Sequence, residues 1–172
     1  MTYFNSLENA TGIVDVFMDR QEKYKYALTL AQEMLREQSH LPTLDRELIA
    51  AYTSYLNSCE YCFGSHKEFA ISLGANEDDL SIFTFEKNSN HRLGPILDYV
   101  RVLTLSPSLL TQEDKDLVIE AGFTEEELKD AIAVSALFNF YNRIVEGHGI
   151  EPNENYEEAT SRINSHGYDK RY

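Results

Sequence analysis

Apolar and polar residues alternate along this chain with the period of a helix nearly throughout. Leu44, Leu48, Ala51 and Tyr55 recur at three- and four-residue steps, and so do Cys62, His66, Phe69 and Leu73. Strand-like alternation bounded by hairpin turns does not occur at useful length, so the chain reads as all-α. The pattern predicts helices over about 9–19, 23–37, 43–57, 59–73, 77–84, 92–105, 111–121, 124–146 and 153–164, a bundle of about eight or nine. Punctuation agrees. Pro42-Thr43 offers a stop followed by an N-cap, and Ser106-Pro107 ends a helix. Thr111 and Thr124 each precede a run that is acidic in its first turn, and Thr124-Glu-Glu-Glu127 has capping-box form. Asp130 to Val145 is apolar on most sides, as a helix surrounded by others must be. Asn139, Asn142 and Arg143 interrupt it, and are expected to hydrogen-bond loop backbone or a neighbouring subunit, or to shape the functional site.

The length, 172 residues, suits a single domain over 1–172, with a core at about 10–152 and a polar C-terminal tail, 153–172, expected to be a loosely held helix and a frayed end. No stretch is apolar enough to be a membrane span. The net charge of −14 repels phosphate backbones and anionic lipid, so neither nucleic acid nor a membrane is an expected partner. Charged residues from Glu8 to Lys25 break up any apolar leader, and a cytoplasmic location is expected.

The two cysteines, Cys59 and Cys62, stand three residues apart, which in a reducing compartment reads as metal-binding or catalytic. With Ser58 as N-cap, Cys59 lies in the first turn of a helix, and Cys59, Cys62 and His66 fall within roughly 60° of one another at about 100° per residue. A helix N-terminus and a nearby imidazole both favour thiolate, the reactive species. A second cysteine can trap a sulfenic acid as a disulfide, which a dithiol then resets by exchange. In the preceding helix Glu47 shares the stripe of Leu44, Leu48, Ala51 and Tyr55, on the face that should be buried. A buried acid beside a histidine is a candidate general base in a proton relay, or one end of a buried salt bridge. Other readings stay open: inert packing of the thiols, dithiol–disulfide exchange or redox-responsive binding without peroxide chemistry, and a zinc module in which Glu47 or His148 joins Cys59, Cys62 and His66. Tyr52, Tyr55, Phe63, Phe83, Phe85, Phe138 and Tyr141 are expected to be core aromatics, with an apolar substrate pocket as the alternative.

The pattern Glu47, eleven residues, Cys59-x-x-Cys62, three residues, His66 resembles the signature of the AhpD-like alkylhydroperoxidases of the carboxymuconolactone decarboxylase superfamily. Arg46-Glu-Leu-Ile-Ala-Ala51 with Asn57-Ser-Cys-Glu-Tyr-Cys62 is similar to the core of that family, and Phe138-Asn-Phe-Tyr-Asn-Arg143 followed by Gly149-Ile150 resembles its peroxidase-related branch. The likeness spans about residues 10 to 152. It implies an AhpD-like helical bundle assembled as a homo-oligomer, trimer or hexamer, and a thiol peroxidase that uses no metal, haem or flavin. By the resemblance, Glu47 and His66 relay a proton from Cys62, Cys62 attacks a hydroperoxide, and Cys59 resolves the sulfenate. A dithiol reductant, such as a lipoylated partner protein, reduces the resulting disulfide. The best-studied branch has a histidine between the cysteines where this chain has Tyr61. The decarboxylase branch lacks the dithiol, which sets decarboxylation aside.

Overall fold

The computed structural model describes residues 2–83 and 91–168. Among these there is no strand, and the α-helices are α1 (Ile13–Asp19), α2 (Gln21–Tyr24), α3 (Ala27–Leu35), α4 (Thr43–Leu56), α5 (Glu60–Ser72), α6 (Glu77–Ser81), α7 (Gly94–Leu105), α8 (Gln112–Glu120), α9 (Glu125–His148) and α10 (Glu157–His166). Short 3₁₀ turns occupy Asn5–Leu7 and Pro107–Leu109. The all-α expectation holds, and no helix among the described residues is long and apolar enough to cross a membrane.

The differences from the predicted boundaries have local causes. The first helix starts at Ile13 because the Asp15 carboxylate accepts from the backbone N–H groups of Thr11 (2.8 Å) and Gly12 (3.1 Å), ending the extended approach there. The helix predicted over 23–37 is divided, the backbone leaving helical geometry at Tyr26 (φ −106°, ψ 0°). Thr43 lies inside α4, whose N-cap is Pro42. Thr111 and Thr124 cap α8 and α9 with capping boxes, as their sequence context predicts. The helix predicted over 77–84 ends at Ser81, and its last residue, like Phe85, lies outside the described residues.

Helix α4 is the centre of the molecule. Every residue from Asp45 to Ser54 is buried, because α5, α7 and α9 pack around it. The long α9 also touches α1 and α3, which explains why its middle, from Ala131 to Phe138, carries no polar residue but Ser135. A polar seam runs between α4 and α9. Asn142 donates to Ser54 Oγ (3.0 Å) and accepts from the Asn57 amide (2.9 Å), while Asn139 accepts from the same amide (3.2 Å). The two asparagines therefore serve side chains of their own bundle, in place of the loop backbone or neighbouring subunit expected from the sequence. Arg143 donates to the Asn139 carbonyl at 2.7 Å.

The end of the chain also departs from expectation. Helix α10 packs on α5, with Thr160 and Ile163 buried, and Tyr168 beyond it is only 8% exposed. Ile163 and Tyr168 join the core, so this polar segment is anchored at those positions while most of its other residues stay exposed or half-buried.

Candidate active site

The site begins at the turn from α4 into α5. Asn57 closes α4, and Ser58 adopts the left-handed conformation (φ 56°), a strained choice for a residue with a Cβ. The Asn57 amide, held by Asn139 and Asn142, and the Cys59 N–H bond to the Ser54 carbonyl (3.0 Å) secure that turn. As a result Cys59 itself is the N-cap of α5, and Ser58 stands one residue before it, which corrects the expected register by one. Cys62 sits at the third helical position, where backbone N–H groups are not yet used by the helix and the dipole favours negative charge.

Both thiols are unoxidised and buried, Cys59 at 0% and Cys62 at 4% exposure. The Cys59 thiol is pushed far above its ordinary value, first by hydrogen bonding to the Cys62 sulfur and then by burial and the charge of an ionised Cys62. Its contact with the Glu146 carboxylate on α9 adds to the rise, and the Cys62 amide works against it. Cys59 therefore keeps its proton.

Glu47 enters from α4 and is completely buried. Its Oε2 lies 2.5 Å from His66 Nδ1; its Oε1 accepts from the Arg36 guanidinium and from Tyr168 Oη (2.9 Å). Burial is the largest influence on this carboxyl and raises its pKa, but attraction and hydrogen bonding from His66, then from Arg36, outweigh it and hold the group below the usual carboxylate range. Glu47 is therefore a standing anion. Glu47 thus contacts both a histidine and an arginine, the latter as a buried ion pair. The His66 ring is fixed edge-on between Phe138 (4.3 Å) and Phe69 (5.1 Å).

Arg36 and Tyr168 were not singled out in the sequence. Arg36, just after α3, also donates to Asn164 Oδ1 on α10 (3.2 Å) and lies over the Tyr168 ring at 4.9 Å. Burial, followed by the neighbouring Glu47 charge, keeps the Tyr168 phenol well above its ordinary value, so it acts as a donor. An arginine eleven residues before a buried acid was the one available sequence signal; Tyr168 had none.

Cys62 and His66 open onto a cavity of about 100 Å³. Ile13, Phe17, Leu28, Phe138, Tyr141 and Ile163 form much of its wall, and Cys59 does not line it. Of the aromatics weighed as pocket or core, only Phe138 and Tyr141 line it; Tyr52 is plain core, and Tyr55, Phe63 and Phe83 pack together elsewhere with ring centroids 5.0–6.2 Å apart. Tyr55 is 46% exposed and lies off the buried stripe. Tyr61, between the cysteines, accepts from the Ile13 N–H (3.3 Å), and burial above all pushes its pKa up to about 12, so it remains a neutral phenol. Among the described residues no three metal-ligating side chains are grouped to hold an ion, and His148 is committed to the Ile144 carbonyl (2.7 Å).

The carboxymuconolactone decarboxylase family model matches residues 21–84, the segment that holds Arg36, Glu47, both cysteines and His66. The chain has an AhpD-like fold, and the segment that the family model matches carries the residues of the site. The crystal structure of an uncharacterized peroxidase-related protein from Silicibacter sp. TM1040 is similar to it with a TM-score of 0.73 at 22% identity, over 84% of this chain and 77% of that one. A second, described as an alkylhydroperoxidase AhpD core and an uncharacterized peroxidase-related protein from Ralstonia eutropha JMP134, gives 0.73 at 22% identity over 82% and 76%. No curated protein gives a significant match. The structural likeness covers far more of the chain than the segment matched by the family model.

Proposed function

We propose that this AhpD-like protein reduces organic hydroperoxides through a Cys59–Cys62 disulfide cycle. The observation that carries the reading is the placement of Cys62: at the third position of α5, beside His66, on the wall of an apolar cavity, with the protonated Cys59 donating to its sulfur. A helix N-terminus favours negative charge in its first turn, and the thiolate is the reactive form of a cysteine.

In this reading the Cys62 thiolate attacks the outer peroxide oxygen. The O–O bond breaks, the sulfur becomes a sulfenic acid, and the departing alkoxide takes a proton from His66 to leave as an alcohol. Cys59 then attacks the sulfenic sulfur, losing its proton as water departs and the disulfide forms. The Glu146 carboxylate, in contact with Cys59, can pass that proton to the departing hydroxide, which leaves as water. Two electrons and two protons from an external dithiol, such as a dihydrolipoyl group, restore both thiols. Glu47 stays ionised throughout and holds His66 in position, a narrower role than general base.

The test is anaerobic oxidation of the pre-reduced protein by cumene hydroperoxide, counting thiols before and after. We expect two thiols lost per chain, abolished in Cys62→Ser and arrested at a sulfenic acid in Cys59→Ser. Intact thiols after peroxide, with ready exchange against dihydrolipoamide, would replace the peroxidase reading with disulfide exchange.

A further inference from the structure

The cavity beside Cys62 is apolar over most of its wall, and the polar groups that reach it are largely committed to protein atoms. Tyr61 accepts from Ile13, Ser65 donates to the Tyr61 carbonyl, Tyr141 donates to the Ala27 carbonyl, and His66 and Tyr168 hold Glu47. Two polar side chains on the wall are different. The guanidinium of Arg162 and the side-chain amide of Asn153, both partly buried, have no hydrogen-bond or ionic partner among the described residues.

An arginine with no partner among the described residues is out of place here. Acidic residues outnumber basic ones 29 to 15, and other arginines find partners: Arg36 with Glu47, Arg92 with Asp45 and Asp79, Arg46 with two backbone carbonyls. A partly buried cation left without a counter-ion in an apolar wall costs stability unless something anionic joins it. Its planar fork matches a carboxylate in particular, and an adjacent amide adds a further donor to the same oxygens.

We infer that Arg162 and Asn153 form a carboxylate subsite, and that the substrate is a small organic hydroperoxide bearing an acid group. This rests on the reading of Cys62 as the peroxide-reducing thiol, and adds what the cavity selects. The apolar wall takes the hydrocarbon body, which at about 100 Å³ is on the scale of a benzene ring or a short branched chain. The acid is held by residues around α10, and the peroxide end meets Cys62 on α5.

Binding is tested without turnover, using benzoate and its neutral isostere benzamide as probes in ligand-observed NMR titrations of the reduced protein. Wild type should bind benzoate about tenfold more tightly than benzamide. That ratio should fall to about one in Arg162→Gln, recover in part in Arg162→Lys, and diminish in Asn153→Ala, with folding of each variant checked by circular dichroism. Benzoate should also slow alkylation of Cys62 in wild type. Equal binding of the two probes, no binding of either, or a preference that survives Arg162→Gln would overturn the inference and mean that the guanidinium merely reaches into solvent. Its failure is separable from that of the peroxidase reading. Arg162-dependent benzoate binding with thiols that resist cumene hydroperoxide would leave the subsite standing and remove the peroxidase; rapid thiol oxidation without a benzoate preference would do the reverse.

Discussion

Three donors converge on the two oxygens of Glu47, and each comes from a different part of the chain: Arg36 after α3, His66 in α5 and Tyr168 after α10. Replacing one partner of such a buried charge pair leaves the other uncompensated, which is costlier than losing the attraction alone. Glu47→Gln should therefore lower unfolding stability by about 3 kcal/mol in urea titrations, mostly through the stranded Arg36. The pH dependence has a definite sign. A carboxyl held below its ordinary value contributes stability that is present above the unfolded pKa of about 4.3 and is lost as pH falls through the folded value. Wild type should thus lose stability on acidification below about pH 4, and Glu47→Gln should show a flatter acid limb. Tyr168→Phe tests position rather than charge. It removes one donor, should cost about 1–2 kcal/mol, and should raise the Glu47 pKa so that the acid limb of peroxide-driven thiol oxidation moves to higher pH. Spacing alone made Glu47 legible, since 44, 47, 48 and 51 share a helix face. Arg36 and Tyr168 were not, because a hydrogen bond across 121 residues of sequence leaves no periodic trace.

At the scale of the element, α5 depends on how it is entered. Its N-terminus has no side-chain cap of the usual kind, and the left-handed Ser58 is held by contacts from α4 and α9. Asn57→Ala should release that turn, costing about 1–2 kcal/mol in thermal unfolding and slowing thiol oxidation, whereas a Ser39→Ala control, distant in sequence, should leave the oxidation rate alone. One turn into the helix, Gly64 faces Tyr156 so closely that an added Cβ would lie 2.8–3.0 Å from the phenol ring. Alanine there gains about 1 kcal/mol of helix propensity and loses it again by displacing Tyr156. Gly64→Ala should consequently fold, but react faster with bulky alkylating agents at Cys62 as the cavity wall moves aside. Helix existence and type were legible because periodicity is long and strong in α4, α5 and α9. The one-residue shift of the cap was not: Ser58 is the better capping residue locally, and the Asn57–Asn139–Asn142 bonds override that preference.

For the molecule as a whole, two features set its behaviour. The net charge of −14 makes self-repulsion part of the folded state, so raising salt from low to physiological ionic strength should increase Tm by about 2 °C. The other is the docking of α10 and Tyr168 over the functional face, which polarity of composition concealed. Glu157, Glu158, Asn164 and His166 are indeed solvent-facing, and it is the burial of Thr160, Ile163 and Tyr168 that anchors the segment to the core. The two sulfurs, finally, differ in whether a cavity reaches them: Cys62 lines one, while Cys59 is sealed at 0% exposure behind the first turn of its own helix. A reagent must wait for that turn to fray before it can touch Cys59. In Cys62→Ser the rate of Cys59 labelling, measured against an unfolded standard, then becomes a clock for local opening, and reports the free energy of a single helix end in a protein otherwise watched only as a whole.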